Sequence, residues 1–212
     1  MVMQLLIATS NAGKIREIAH ELAAAGLEMV QPRSLADFPP IESVVEDQPS
    51  FAGNAMKKAA AYARACGLPA LADDSGLCVD ALNGAPGVLS ARYAGESCDD
   101  AANNRRLLRE LRNVPPERRG ARFVCALALA TPSANLALMV DSVEGQIIDA
   151  PRGANGFGYD PLFYLPHLNC TTAELNLSQK ALLSHRGKAV RRMVDWLKRN
   201  PAAIEACAAA VE

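Results

Sequence analysis

The spacing of apolar residues along the first half of the chain predicts β-strands that alternate with α-helices. Short apolar runs favour buried strands, and apolar residues that recur every three or four positions favour amphipathic helices. The elements predicted in this way are strands at Val2–Thr9, Leu27–Gln31 and 68–75, a helix from Gly13 to Gly26, a polar loop over 32–50 and a helix over Phe51–Cys66 that ends at Gly67.

The second half of the chain shows hairpin signals and glycine-rich loops before it returns to helical spacing. Its predicted elements are a segment over 77–82 that extends the third strand or pairs with it, a helix from Asp99 or Asp100 through Arg112, a hairpin of Ala121–Thr131 with Leu136–Val143, loops at 83–98 and 151–161, and a last helix that begins near Arg186. An alanine-rich tail over 202–210 is predicted to be a helix or a frayed end. This mixture predicts an α/β fold in which helices pack on a mixed sheet.

Composition narrows the class of protein. Half of the 212 residues are hydrophobic, and 22 Lys and Arg face 23 Asp and Glu, so a dedicated nucleic-acid or membrane surface is not expected. The longest apolar run, Phe123–Ala130, is too short to cross a bilayer, and no basic segment of a signal peptide precedes the first run. Six scattered cysteines without a C-x-x-C motif favour a reducing cytoplasm.

Two adjacent carboxylates, Asp73 and Asp74, follow the apolar run at 68–72 and precede Ser75 and Gly76. One aspartate at the end of a strand is an ordinary turn former, because its side chain hydrogen-bonds nearby backbone. Two adjacent ones repel each other, and an extended backbone sends their side chains to opposite sides. A structural and a chemical role are therefore both open at this point.

The loop "TSNAGK" joins the first strand to the first helix. The first N–H groups of a helix carry a partial positive charge, and small residues let an anion approach them, so the loop is a candidate phosphate site to which Lys14 adds a charge. It is not a Walker A loop, because Ala8 and Ile15 replace the glycine and the hydroxyl residue that the motif requires. An ordinary capped helix is the alternative.

Three further segments offer chemistry, and each also has a structural explanation. Glu46 and Asp47 in the loop over 44–50 add carboxylates to those of the aspartate pair, as a magnesium ion (Mg2+) requires, although they also suit the start of a helix. The loop "ANGFGYDP" offers an aromatic face for a base or simply a tight turn. The segment "LSQKALLSHRGKA" concentrates basic groups that suit acceptors on a ligand or form a solvated face.

Together these segments fit a nucleoside triphosphate, and here the sequence resembles the non-canonical purine nucleoside triphosphate pyrophosphatases, also called inosine triphosphate pyrophosphatases or XTP/dITP diphosphatases. The stretches that carry the resemblance are "ATSNAGKIREI", "FAGNAMKKA", "ALADDSGLCVDALNGAPGVLSARYAGE", "GFGYDPLF" and "LSHRGKA". They occur in the family's order from residue 8 to residue 189, and the combination of "ADDSGL", "GFGYDP" and "SHRG" is highly specific.

The resemblance implies a two-lobed α/β domain over 1–212, with a long mixed sheet and a central substrate cleft. It implies a cytoplasmic homodimer that requires Mg2+ and acts on small-molecule nucleotides, not on nucleic acid or membranes. The implied activity is hydrolysis of ITP, dITP and XTP to the monophosphate and pyrophosphate, which clears deaminated purines from the nucleotide pool.

The resemblance also implies roles for particular residues. Asp74 matches the catalytic acid linked to the metal, and Glu46 matches the second metal ligand. The residues implied to bind substrate are Thr9, Ser10, Asn11, Ala12, Gly13, Lys14, Ser75, Phe157, Gly158, Tyr159, Asp160, Lys180, His185 and Arg186. Lys58 and Arg92 are further candidate contacts to phosphate or base.

One position departs from the family's pattern. Gly53 stands where the family commonly has a glutamate, which removes a carboxylate that could assist the metal. Two other functions remain open: a related pyrophosphatase with other nucleotide substrates, and a nucleotide sensor that binds in the same pocket without turnover.

Overall fold

The computed structural model describes residues 3–27 and 30–200, and these form seven strands and five α-helices. The strands are β1 (Met3–Ile7), β2 (Val30–Ser34), β3 (Ala70–Val79), β4 (Gly120–Ala130), β5 (Asn135–Ile147), β6 (Phe163–Leu165) and β7 (Cys170–Thr171). The helices are α1 (Ala12–Ala24), α2 (Phe51–Cys66), α3 (Asp100–Glu110), α4 (Leu177–Leu183) and α5 (His185–Arg199).

The strands form one sheet in the order β2-β1-β3-β4-β5-β6-β7. Strand β1 pairs in parallel with β2 and β3, whereas β6 pairs antiparallel with β5 and β7. The sheet is therefore mixed, as the alternation of strands and helices followed by hairpins predicts.

The structure differs from the sequence prediction most at β2. The predicted strand ended at Gln31, whereas β2 continues to Ser34 and includes Pro32. Proline cannot donate a hydrogen bond to a neighbouring strand, but β2 lies at the edge of the sheet, where one side of a strand needs no partner. The prediction also lacked β6, β7 and α4, which are short. Val2, residues 28–29 and the tail over 202–210 lie outside the described residues.

The chain forms two compact units. Unit 1 comprises Met1–Asp74, Cys125–Asp141 and Arg186–Glu212, and unit 2 comprises Ser75–Val124 and Ser142–His185. The single two-lobed domain over 1–212 and its substrate cleft stay predictions.

In unit 1, the strands bury one face against α1 and α5 and the other against α2. Because side chains alternate along a strand, Cys125, Leu127 and Leu129 of β4 pack with α1 and α5, whereas their neighbours Ala126 and Ala128 pack with α2. Alanine makes up most of the buried side chains on the α2 face. We call this set the alanine layer: Ala8, Ala55, Ala59, Ala63, Ala70, Ala72, Ala126, Ala128 and Ala130.

Helix α2 begins and ends at the residues that the sequence predicts, and the residues at its two ends explain why. The Ser50 side chain accepts a hydrogen bond from the Gly53 N–H at 3.1 Å and caps the first turn. Directly after the last turn, Gly67 adopts a left-handed backbone conformation (φ 66°). Residues with a Cβ disfavour this conformation, so glycine suits the end of the helix.

Unit 2 has a core of its own, which contains more aromatic residues. Phe123, Tyr159 and Phe163 pack with aliphatic side chains of α3 and the neighbouring strands. The Phe123 and Phe163 rings lie 4.4 Å apart between centroids. None of the helices within residues 3–27 and 30–200 combines the length and the apolar character that a membrane span needs.

Candidate active site

The two adjacent aspartates lie inside β3, and their side chains point to opposite faces of the strand. Leu71 packs on the face that α1 and α5 cover, and Ala72 packs on the α2 face. Asp73 therefore shares the side of Leu71, and Asp74 shares the side of Ala72. Both are buried, with 1% and 4% of their surfaces exposed. The strand thus places one carboxylate in each of two different environments.

Asp73 is held by two cations from different helices. Its Oδ1 lies 2.5 Å from the Lys14 Nζ, and its Oδ2 accepts a hydrogen bond from the Arg186 Nε at 3.0 Å. The Arg186 guanidinium also pairs with Glu17 of α1. Arg186 and Glu17 are buried as well. Together with Lys14 and Asp73, they form a group of two positive and two negative side chains that offset one another inside unit 1.

The candidate phosphate loop connects β1 to α1 in the way that the sequence predicts. Asn11 caps the helix by accepting a hydrogen bond from the Lys14 N–H at 3.0 Å, and the Asn11 N–H donates to the Thr9 Oγ1 at 3.2 Å. Ser10, Asn11 and Ala12 are exposed, so the N-terminus of α1 is open to an anion.

Asp74 belongs to a second group of charges, which faces α2. The Lys58 Nζ lies 3.1 Å from the Asp74 Oδ1, 2.5 Å from the Glu46 Oε1 and 2.8 Å from the backbone oxygen of Asp73. The Asn54 amide nitrogen donates to the Asp74 Oδ2 at 3.2 Å. Helix α2 therefore supplies both an ammonium group and an amide to this carboxylate.

The two environments shift the two carboxyl groups in opposite directions. Burial raises the pKa of Asp73, but Arg186 and Lys14 outweigh it and bring that pKa well below its usual range. Burial also raises the pKa of Asp74, and here the attraction of Lys58 does not outweigh burial and the repulsion of Glu46. Asp74 is thus the better proton acceptor of the pair, and Asp73 remains ionised.

The group around Lys58 fits a divalent cation. Within residues 3–27 and 30–200, no three His, Cys, Asp or Glu side chains form a ready metal site. Two carboxylates and a carbonyl oxygen nevertheless already surround one positive charge, that of Lys58. One or two carboxylates are the usual protein share of a magnesium site, because waters and substrate phosphates supply the other ligands.

Unit 2 carries its own group of predicted site residues, centred on Asp160. The Asp160 Oδ2 accepts a hydrogen bond from the Phe157 N–H at 2.9 Å and pairs with the Lys180 Nζ, and its Oδ1 accepts one from the Thr172 hydroxyl at 2.9 Å. The Lys180 Nζ also lies 5.0 Å from the centre of the Phe157 ring. A Cβ at Gly156 would lie 2.0 Å from the Asp160 Oδ2, so only glycine fits there.

Helix α3 fixes the same loop from another side. The Gly158 N–H donates to the Asp100 Oδ2 at 2.7 Å, and the Gly158 oxygen accepts from the Asn104 amide at 2.9 Å. The buried Tyr159 hydroxyl donates to the backbone oxygen of Ser90 at 2.8 Å. The loop is therefore held in one conformation by side chains outside it.

Two more predicted residues, Ser75 and His185, lie at the boundaries of unit 2. Ser75 follows Asp74 in β3 and is half-buried. His185 begins α5, is buried and stacks on Phe123 with ring centroids 4.9 Å apart. The roles of these residues in substrate binding stay predictions.

With this geometry in place, similarity to known proteins identifies the family. The family model described as the Ham1 family matches residues 5–196 of the chain. The chain belongs to the Ham1 family. This confirms the resemblance found in the motifs, because curated relatives with similar sequences carry the name dITP/XTP pyrophosphatase.

Two of these Ham1 relatives match over nearly their whole length. The protein from Desulforamulus reducens is 49% identical over 197 residues, which cover 93% of this chain and 96% of the relative. The protein from Geobacillus kaustophilus is 52% identical over 190 residues, which cover 90% and 92%.

Solved Ham1 structures confirm the α/β fold. The Staphylococcus aureus Ham1 protein matches with a TM-score of 0.81 at 38% identity and covers 93% of this chain and 99% of its own. A structure titled nucleoside-triphosphatase or dITP/XTP pyrophosphatase, from Mycobacterium abscessus, matches with a TM-score of 0.72 at 45% identity and covers 90% and 97%.

The structure of this Ham1 protein also shows three contacts that the sequence prediction missed. Glu17 pairs with Arg186, Asn54 donates to Asp74, and the Cys125 thiol lies 3.0 Å from Asp73. Asn54 and Glu17 both lie within quoted motifs, but the sequence prediction gave neither of them a role. Cys125 has no signal of its own, because it reads as one more apolar residue of a buried strand.

Proposed function

We propose that this Ham1-family protein hydrolyses non-canonical purine nucleoside triphosphates, namely ITP, dITP and XTP, to the monophosphate and pyrophosphate. The observation that carries the proposal is the pair of opposed aspartates. Asp74 has a raised pKa beside oxygens suited to a cation, and Asp73 holds the lysine of a phosphate loop. The name dITP/XTP pyrophosphatase, which relatives about half identical to this chain carry, supports the substrate class.

The proposed cofactor is Mg2+, held by Asp74 and Glu46. When bound, such an ion neutralises phosphate charge and makes a bound water more acidic. The Lys58 ammonium contacts both carboxylates and the Asp73 backbone oxygen and so keeps them together. Gly53 supplies no carboxylate here, so Glu46 and Asp74 form the whole set of acidic ligands that we propose.

Within the chain itself, Asp74 accepts the proton of the attacking water. A carboxylate is a poor base at its ordinary pKa, and burial raises the pKa of Asp74 above that value, which makes this carboxylate a better base. The Asn54 amide, which donates to the Asp74 Oδ2, leaves the other carboxylate oxygen facing Lys58. This arrangement orients the carboxylate before substrate arrives.

The loop from Thr9 to Lys14 binds the phosphates. Its exposed residues precede the N-terminus of α1, whose N–H groups favour an anion, and Lys14 adds a positive charge. Because Lys14 already neutralises Asp73, a triphosphate competes with that carboxylate for the ammonium group.

The group in unit 2 is assigned to the nucleoside. Phe157 offers a ring on which any purine can stack, and Lys180 and His185 offer donors to a keto oxygen. Hypoxanthine and xanthine carry such an oxygen at C6, where adenine carries an amino group. The buried ion pair with Asp160 keeps Lys180 in a defined position.

The proposal includes a cytoplasmic homodimer, which the family resemblance supports. Light scattering on the purified chain tests the dimer, and a mass of about one chain would contradict it. Cell fractionation tests the location.

The deciding experiment incubates the protein with Mg2+ and a panel of nucleoside triphosphates and separates the products by ion exchange. We expect pyrophosphate and the monophosphate from ITP, dITP and XTP, with much slower turnover of ATP. Orthophosphate with a nucleoside diphosphate would refute the proposed reaction. Tight binding without any product would instead favour a nucleotide sensor.

A further inference from the structure

Cys125 occupies an unusual place for a thiol. It lies in β4 with none of its surface exposed, on the face that α1 and α5 cover. Its Sγ lies 3.0 Å from the Asp73 Oδ2, within hydrogen-bond range for sulfur. Burial and the neighbouring Asp73 raise the pKa of the thiol well above its usual value, so the group keeps its proton and can donate.

The carboxylate that receives this hydrogen bond has two other partners on defined atoms. The Asp73 Oδ1 faces Lys14, and the Oδ2 faces the Arg186 Nε at the same time as Cys125. Two donors on one oxygen restrict rotation of the carboxylate about its Cβ–Cγ bond. The direction of Oδ1, and with it the place of the Lys14 ammonium, then depends on both donors.

We propose that Cys125 is a positioning residue for phosphate binding, which acts by donating its S–H to Asp73 and so fixing Lys14 at the phosphate loop. This inference rests on the proposed function of that loop. It assigns a role to a side chain that is otherwise a member of an apolar cluster, and it requires no contact between the thiol and substrate.

Three variants separate the hydrogen bond from packing. Cys125→Val fills about the same volume without a donor, Cys125→Ala removes both the donor and the volume, and Cys125→Ser keeps a donor. Cys66→Ala is the matched control, because Cys66 is a partly buried cysteine that ends α2 and packs against the alanine layer. Melting temperatures of all four variants identify any that fail to fold.

The assay is calorimetric binding of inorganic tripolyphosphate, which needs no turnover, followed by kcat and KM for ITP with Mg2+. We expect Cys125→Val to weaken tripolyphosphate binding about tenfold, as the loss of groups that orient a binding residue commonly does. We expect its KM to rise more than its kcat falls, and we expect Cys125→Ser and Cys66→Ala to bind like the wild type. If Cys125→Val does not fold, Cys125→Ala takes its place.

The outcomes distinguish this inference from the function on which it rests. If the wild type binds tripolyphosphate and Cys125→Val or Cys125→Ala binds it equally well, the inference alone is overturned. The inference is also overturned if Cys125→Ser binds tripolyphosphate as weakly as Cys125→Val. Failure of the wild type to bind tripolyphosphate overturns the phosphate role of the loop and the inference together. Products other than pyrophosphate overturn the proposed reaction but leave the binding result standing.

Discussion

Exchanging each aspartate of β3 for asparagine in turn should separate catalysis from stability at two adjacent positions. The Asp73→Asn and Asp74→Asn variants differ from the wild type by one nearly isosteric change each. Asp73 forms ion pairs with Lys14 and Arg186. Asp74 differs, because burial disfavours the ionised form of its carboxyl group. Stability should therefore distinguish the two variants: Asp73→Asn should unfold more easily, whereas Asp74→Asn should lose turnover and keep its stability.

The expected loss of stability for Asp73→Asn follows from its partners. The change removes one of the two carboxylates that pair with buried Arg186, and it removes the ion pair between Lys14 and Asp73. Removing one partner of a buried ion pair costs about 3–5 kcal/mol. For a chain of this size, 1 kcal/mol shifts the melting temperature by about 2–4 °C, so a fall of roughly 6–20 °C is expected.

Asp74→Asn should be nearly as stable as the wild type. A raised carboxyl pKa means that the folded protein binds the proton more tightly than the unfolded chain, so the ionised group opposes folding at neutral pH. Asparagine removes that cost, and it also removes the attraction to the Lys58 ammonium. Lys58 keeps its contacts with Glu46 and the backbone oxygen of Asp73. We expect a change of about 1 kcal/mol or less, while turnover of ITP falls about 10²–10⁴-fold.

Thermal unfolding at pH 7.5 and pyrophosphate release from ITP, measured on the same three preparations, test this reasoning. Asp74→Asn activity within about threefold of wild type would remove Asp74 from the proton-accepting role. An Asp73→Asn melting temperature within about 2 °C of wild type would show that the buried ion pairs stabilise little. Equal losses of stability in both variants would refute the opposite environments of the two side chains.

Three further outcomes are expected. The stability difference between wild type and Asp73→Asn should shrink as the pH falls below about 4. A lowered carboxyl pKa stabilises the fold fully above the pKa of the unfolded chain, and this stabilisation declines as the pH falls towards the pKa of the folded protein. Urea unfolding at pH 3 and pH 7 measures the decline. Asp160→Asn should weaken ITP binding and lower the melting temperature, since it removes the buried ion pair between Asp160 and Lys180; the same change at half-buried Asp141, whose partner Arg192 is exposed, is the control. Gly76→Ala should destabilise the protein by about 1–3 kcal/mol in urea titrations, because its Cβ would lie 2.3 Å from the Ser90 Oγ.

The sequence predicted best what depends on neighbours along the chain. The period of two in β3 places Asp73 and Asp74 on opposite sides, and the structure confirms it. The cap at Ser50 and the glycine at Gly67 define both ends of α2. The edge strand β2 was harder to place, because a strand with one free side tolerates a proline that a central strand would exclude.

What depends on distant segments could not be predicted in this way. Arg186 and Glu17 are 169 residues apart, and their ion pair exists only because α1 and α5 pack on the same face of the sheet. The contact between Cys125 and Asp73 also joins distant segments, because these residues are 52 positions apart in the sequence. Periodicity shows which face a side chain occupies but not which distant helix covers that face.

The alanine layer has a consequence for how this protein can change during evolution or engineering. Side chains of one carbon let α2 approach the strands closely, and this proximity lets Lys58 and Asn54 reach Asp74. A larger residue at Ala59 or Ala72 would act as a spacer, and it would move the ammonium and amide away from the carboxylate without altering any polar group. A mutant library that varies only the charged residues would overlook these positions. A library that enlarges small core residues to raise the melting temperature would tend to select stable variants that have lost their activity.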